Sequence, residues 1–312
     1  MKKVEVYILA GFLGSGKTTL LKNLLTEEKE QGRKVAVVMN ELGETSIDSN
    51  AVSEDIPLKE LLNGCVCCTI QGQLEVHLQG LLIDHELDSI YIETTGVAHP
   101  IEVLDACLSP LFADKLEVQS IVTIVDANRW KDRKTMSIRL QKLLQEQVHH
   151  ADVVLVNKVD QLSESEQASL VFDIQSVNSK AKCLLTRYSA VKREDLMING
   201  QKQMPTTHEK THVHQDLKVK TFVHQFQTPL NIDVFENWLR AMPDTIYRIK
   251  GYLRFTHSDN TFLFQYSYGM PLYMKELMKY PMTLVFIGED LNKQWMKSEM
   301  EKIEVASQLE DI

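Results

Sequence analysis

No run of this sequence is both long enough and apolar enough to cross a membrane. A spanning helix needs ~20 apolar residues, and the apolar stretches here have the length of single strands. An excess of positive charge is also missing. Lys and Arg number 34 against 43 Asp and Glu, the net charge is −9, and no basic stripe runs along the chain. Nucleic acid is therefore not the expected partner. Internal repeats and low-complexity tracts are absent, which sets solenoids and disordered tails aside. Cysteine is scarce, and three of the five crowd into Cys65-Val66-Cys67-Cys68. That distribution does not make a disulfide framework; it suits reduced thiols in a metal or redox role, as in a cytoplasmic protein. The opening Met-Lys-Lys could imitate a signal segment, but Glu5 interrupts the apolar stretch behind it, so residues 1–10 are expected to form a first strand.

What is present begins with Gly11-Phe12-Leu13-Gly14-Ser15-Gly16-Lys17-Thr18-Thr19, which fits the phosphate-loop pattern G-x-x-x-x-G-K-[ST] from Gly11 to Thr18. Val4, Val6, Ile8 and Leu9 precede it as a strand would. Leu20, Leu21, Leu24 and Leu25 follow at helical spacing, with Gly32 closing the helix after about Glu30. A strand, a Gly-rich loop and a helix N-terminus aim backbone N–H groups and partial positive charge at an anion. Lys17 is placed to reach the β- and γ-phosphates, and the Thr18 hydroxyl to bind Mg²⁺.

Apolar strands then recur, each ending in polar residues. Val35 to Met39 empties into Asn40-Glu41-Leu42-Gly43-Glu44 and on to Asp48. Ile90-Tyr91-Ile92 ends in Glu93-Thr94-Thr95-Gly96, Ser120 to Val125 ends at Asp126, and Val153 to Val156 ends in Asn157-Lys158-Val159-Asp160. In parallel α/β sheets ligands sit beyond the carboxyl ends of strands. Glu41, Glu44 and Asp48 are therefore candidates for contact with Mg²⁺, attacking water or a second metal. Glu93 is expected to act on Mg²⁺ through water, and the Gly96 N–H to meet the γ-phosphate. The Asp160 carboxylate can accept from N1–H and the 2-amino group of guanine; adenine would leave a buried acid unpaired. The Lys158 stem can lie over the base plane, and Ser189-Ala190 can offer a backbone N–H to the guanine carbonyl.

Cys65, Cys67 and Cys68 follow the turn Asn63-Gly64. Thiolates are soft ligands, and C-x-C-C has no second pair downstream; three thiolates, or two with a carboxylate from the Glu41–Glu44 loop, would leave an open, exchangeable site. A helix is expected over 73–85, and a capping box at Ser163-Glu164-Ser165-Glu166 opens another, running to about Ser176. His149-His150, at a helix-to-strand junction, reads as a capping or surface pair. His208, His212 and His214 lie in a polar linker. Beyond it the pattern restarts, with strands near 218–226, 247–255, 262–268 and 283–287, and helices at 232–239 and from Asn292. Met270, Met274, Met278 and Met282 recur every fourth residue and are expected to pack in a core.

These motifs resemble those of the CobW-like GTPases, relatives of the urease and hydrogenase accessory GTPases, and the resemblance runs nearly the whole length. Pro229-Leu230, Trp238-Leu239, Arg248-Ile249-Lys250-Gly251 and Phe286-Ile287-Gly288 fit it in the second half. It implies an α/β P-loop NTPase domain with a mostly parallel sheet over 1–200, a His-containing linker over 201–216, and a smaller α+β domain over 217–312. It also implies a GTP-hydrolysing metal chaperone that delivers Zn²⁺, or Co²⁺ or Ni²⁺, to a client metalloprotein. By the same resemblance Gly11, Gly14, Ser15, Gly16, Lys17, Thr18 and Thr19 hold the phosphates and Mg²⁺. Lys17, Glu93 and Asp48 serve hydrolysis, while Gly96, Asn157, Lys158, Asp160 and Ala190 complete the GTP site. Cys65, Cys67 and Cys68, with Glu41 and Glu44, hold the transferred metal. A regulatory GTP switch with a structural thiol site, and a cobalt chaperone for cobalamin synthesis, are the alternatives; a homo-oligomer is compatible with either. One departure stands out: the family usually has Ala-Asp-Pro where this chain has Ala98-His99-Pro100, which makes His99 a candidate metal ligand.

Overall fold

The computed structural model describes residues 2–40, 58–61, 70–198, 219–267, 269–289 and 291–309. Glu41, Glu44, Asp48, the three clustered cysteines and His208, His212 and His214 lie outside them. Two compact units are present, Met1–Cys107 with Lys115–Val213, and Leu108–Asp114 with His214–Ile312.

The first unit alternates strand and helix: β1 (Val4–Ala10), α1 (Lys17–Glu30), β2 (Val35–Asn40), β3 (Leu58–Leu61), α2 (Ile70–Asp84), β4 (Ser89–Glu93), α3 (Pro100–Cys107), β5 (Leu116–Asp126), α4 (Ala127–Lys131), α5 (Ile138–His149), β6 (Val153–Asn157), α6 (Glu164–Val177), β7 (Lys182–Thr186) and α7 (Arg193–Leu196). The strands form one sheet in the order β3-β2-β4-β1-β5-β6-β7, and its pairings are parallel. A parallel sheet covered on both faces wants unbroken apolar strands, and β4 and β6 are buried at every residue. Side-chain alternation divides β6 between two cores. Val153 and Leu155 join Leu20, Leu21 and Leu24 of α1, while Val154 and Val156 join Trp130, Leu144, Val148 and Ile174.

Helix α1 also buries a charge. Glu28 accepts from the hydroxyls of Tyr91 (2.6 Å) and Ser89 (3.1 Å) and pairs with Arg33 at 2.6 Å. Arg33 and Arg193 each pair with Glu5 as well, at 2.6 and 3.1 Å. These bonds fasten the C-terminal half of α1 to β1 and β4. Ser163 and Glu166 form the expected reciprocal cap on α6.

The second unit contains β8 (Val219–Gln225), α8 (Ile232–Ala241), β9 (Ile246–Arg254), β10 (Thr261–Ser267), β11 (Met270–Glu276), β12 (Thr283–Glu289) and α9 (Lys293–Leu309). Its sheet is antiparallel, ordered β11-β10-β9-β12-β8. Phe235, Trp238, Phe255, Phe264, Phe286, Met296 and Met300 fill the core. The methionine repeat does not pack there as expected. Met270, Met274 and Met278 are exposed at 75%, 37% and 61%, and only Met282, at 3%, is buried. The reason is that residues 270–276 form a sheet-edge strand, where Pro271 is tolerated and most side chains, Met270 and Met274 among them, face solvent, while Met278 lies past its end.

Candidate functional site

The parallel register collects the strand ends at one edge of the first unit's sheet. Leu9 stands opposite Glu93, Asp126 opposite Asn157, and Asn157 opposite Thr186. The phosphate-loop motif leaves β1 there, turning through left-handed φ at Gly11, Gly14 and Gly16. Gly16 tolerates no side chain: φ is +115°, and a Cβ would run into the Asn157 amide and come 2.7 Å from Ser189 Oγ. Gly96 is fixed by close approach, since a Cβ would lie 2.6 Å from the Leu13 backbone nitrogen. The loop after β4 therefore lies directly against the phosphate loop.

Lys17 opens α1 and is buried. Its ammonium donates to the carbonyls of Gly11 (2.7 Å) and Phe12 (3.4 Å). Burial holds its pKa below the ordinary lysine value, with the Glu93 carboxylate acting in the opposite sense. Thr18 Oγ1 donates to Glu93 Oε1 at 2.9 Å, so the two residues expected to serve Mg²⁺ already touch. This is an all-oxygen pair of the kind a hard cation takes. Ser15 Oγ is buried and has no hydrogen-bond partner among the described residues. A hydroxyl left this way in a left-handed loop beside a buried ammonium suits an anion. The residues present thus fit a phosphate with Mg²⁺. Thr19 is exposed on the first turn of α1.

Asn157 is buried at 2% exposure and does not point outward to a base. Its Nδ2 donates to Ser15 O (2.9 Å) and Ser189 Oγ (3.0 Å), its Oδ1 accepts from Ser189 N–H (3.0 Å), and Ser189 Oγ donates to Gly16 O (3.1 Å). The amide therefore clamps the loop after β7 onto the phosphate loop. Tyr188 and Ser189 sit in that loop at φ 54° and 52°, a conformation that costs a non-glycine residue on the order of 1 kcal/mol or more. Lys158, at φ 63°, donates to Gly14 O (2.9 Å) and to Asp126 (2.6 Å). Asp160 is exposed and makes no hydrogen bond or ion pair with a described residue, which leaves its carboxylate available to a ligand. The Ala190 N–H, a candidate donor to the base, donates to Arg187 O at 3.0 Å.

Three participants were not assigned from the sequence. Asp126 holds Lys158 and caps α4 through Arg129 N–H. Burial pushes its carboxyl up, but Lys158 and the Arg129 N–H outweigh that and leave it below the ordinary value. Arg129 lies 4.7 Å over the Phe12 ring and donates to Leu13 O at 2.7 Å. Gln147, buried on α5, donates to Gly96 O (3.2 Å) and Ala98 O (3.3 Å). The Asp126 signal was in the sequence: an acid ending a buried strand whose parallel neighbour ends in Asn157-Lys158.

Comparison with known proteins finds relatives over nearly the whole chain. Residues 5–185 match the CobW/HypB/UreG nucleotide-binding domain, and residues 219–304 match the cobalamin synthesis protein cobW C-terminal domain. The zinc chaperone YjiA of Escherichia coli (strain K12) is 30% identical over 282 residues, covering 85% of this chain and 86% of its own length. Zinc-regulated GTPase metalloprotein activator 1 of Dictyostelium discoideum is 27% identical over 301 residues, covering 80% of this chain; the chain spans 63% of that relative's length. The crystal structure of Zn(II)-bound YjiA aligns with 97% of this chain and 99% of its own, at 24% identity and a TM-score of 0.49.

Proposed function

Because the chain belongs to the CobW/HypB/UreG family, we propose that it binds and hydrolyses GTP and couples that cycle to holding zinc, or a similar divalent metal, for a client metalloprotein. The observation that carries the nucleotide half is the junction of the phosphate loop with the guanine motif, Asn157 Nδ2 on Ser15 O at 2.9 Å. One buried amide joins the group that would cradle phosphates to the segment that would read the base. The relatives, a zinc chaperone and a zinc-regulated GTPase metalloprotein activator, support the metal half.

Residues 11–19 would receive the β- and γ-phosphates on backbone N–H groups at the start of α1. Lys17 would exchange its bonds to the Gly11 and Phe12 carbonyls for phosphate oxygens, which relieves the cost of burying its charge. Thr18 and Glu93 would hold Mg²⁺, which neutralises charge on the phosphoryl oxygens when bound. Gly96, packed on Leu13, would report the γ-phosphate to the loop after β4. Asp160 would accept both guanine donors, with the Lys158 stem across the base and Asn157 holding the frame. Asp48, with Glu41 and Glu44, would respond to the nucleotide and pass its state to Cys65, Cys67 and Cys68, which would carry the metal. Residues 1–200 form the GTPase domain in this account, 201–216 the linker and 217–312 the second domain.

Phosphate release from GTP and ATP, with and without Mg²⁺, tests the nucleotide half. Mg²⁺-dependent hydrolysis of GTP and not ATP is expected. Asp160→Asn should lower GTP affinity roughly 10²–10⁴-fold, the worth of two charge-assisted bonds, and favour the xanthine nucleotide. An unchanged base preference in Asp160→Asn would refute guanine reading by this motif.

A further inference from the structure

Among the described residues, one cluster of metal-ligating side chains lies outside the nucleotide site. The ligand atoms of His99, Glu146 and His150 all lie within 4.8 Å of one another. His99 sits on the turn between β4 and α3, while Glu146 and His150 come from the last turn of α5 and its C-terminal cap. Spacing of i, i+4 puts the latter two on one helix face. Glu146 Oε2 is 3.3 Å from His150 Nε2 and 3.8 Å from His99 Nε2, and the two imidazole rings are 5.1 Å apart. Those separations exceed the ~2.7–2.9 Å of a charge-assisted hydrogen bond. They approach what an ion would impose: ligands ~2.0–2.2 Å from a tetrahedral zinc stand ~3.3–3.6 Å from each other.

The two sides of the cluster are already fastened together. Gln147, beside Glu146, donates to Gly96 O and Ala98 O, the backbone that leads into His99. Ligands held on packed backbone lose little freedom on binding. The three side chains are 37%, 38% and 29% exposed, so an ion can enter from solvent.

We propose that His99, Glu146 and His150 form a second zinc site, with water in the remaining position, that cross-links α5 to the turn following Gly96. The donor set is two imidazoles and one carboxylate, a combination zinc takes with an open position. Metal at His99 Nε2 puts the ring proton on Nδ1, so the long bond from Ile101 N–H to Nδ1 (3.4 Å) is given up to water. The site lies three residues beyond Gly96, at the far end of the loop that packs on Leu13. It does not depend on the cysteines or on GTP binding.

The test uses the full chain with Cys65, Cys67 and Cys68 all replaced by Ala, titrated with Zn²⁺ against a chelating dye and with Co²⁺ as a spectroscopic probe. One equivalent is expected to remain, with a Co²⁺ spectrum lacking thiolate charge transfer. His99→Asn, Glu146→Gln and His150→Gln should each weaken it at least ~100-fold while leaving the thermal melt near the parent's. A triple-cysteine variant that binds no zinc, or a remaining equivalent indifferent to all three substitutions, overturns the proposal. If the triple variant fails to fold, the same three substitutions in the cysteine-containing chain decide: each should remove one equivalent, and unchanged stoichiometry refutes the site. Loss of only the cysteine-dependent equivalent in the triple variant bears on the chaperone reading and leaves this one standing.

Discussion

Asn157 and Asp160 belong to one tetrapeptide, yet the structure gives them different work, and substituting each separates the two. Asn157→Ala removes the partners of the Ser15 carbonyl and the Ser189 N–H, both in a buried junction. Each orphaned group costs ~1–3 kcal/mol, so the sum is about 3 kcal/mol even with some relaxation. The Tyr188–Ser189 backbone keeps its bonds from the Asn23 amide, and the Ser189 hydroxyl keeps its bond to Gly16 O. For a domain of this size ~3 kcal/mol lowers Tm by roughly 6–12 °C. Asp160→Asn touches no described partner, so its effect on the nucleotide-free melt should stay within ~0.5 kcal/mol, whereas guanine preference should be lost. Scanning calorimetry of nucleotide-free protein, paired with nucleotide titration, reads both. Equal Tm for the wild type and Asn157→Ala, or a large drop for Asp160→Asn, would refute this division of labour.

Gly16→Ala should destabilise the nucleotide-free protein by more than ~2 kcal/mol and abolish nucleotide binding, because the new methyl meets Asn157 and Ser189; Gly14→Ala, with open space around it, should cost only ~1 kcal/mol in the same melt. Glu28→Ala should cost about 3 kcal/mol by urea unfolding, the low end for a broken buried pair, since Glu5 still holds Arg33 and Arg193. Asp126 has a depressed folded pKa, so its stabilisation is present above the ordinary 3.8 and is lost as pH falls through the lower folded value. The acid limb of a Tm–pH profile should therefore flatten below 3.8 in Asp126→Asn, and an unaltered limb would remove the Lys158–Asp126 pair from the account.

The candidate nucleotide site was legible because the chemistry it would serve is local. A phosphate loop needs glycines, a lysine and a hydroxyl at fixed spacing, and a guanine reader needs one tetrapeptide at a strand end. The core strands read equally well, since a doubly covered strand must be apolar throughout. What escaped was set by tertiary register. Asp126 gains meaning only when β5 lies beside β6. Gln147 gains it when α5 crosses the loop after Gly96. The edge strand β11 was masked by methionine spacing that imitates a helix, although Pro271 argued against one. Strand β7 is partly exposed and lacks a continuous apolar run, so its pattern was weak. Glu146 and His150 stand four residues apart on α5, but His99 precedes them by 47 and 51 residues, and no spacing rule joins it to them.

In the proposed function, nucleotide and cargo metal are coupled through the cysteine segment. Competition for Zn²⁺ with a chelating dye, on the wild type and on the Cys65, Cys67, Cys68→Ala variant, with and without Mg²⁺ and a non-hydrolysable GTP analogue, tests it directly. The account predicts a zinc equivalent that needs the cysteines and changes affinity with nucleotide, and by linkage zinc must change analogue affinity by the same factor. A cysteine-dependent equivalent whose affinity is the same with and without the analogue would contradict it, leaving a GTPase with a thiol site that is merely structural.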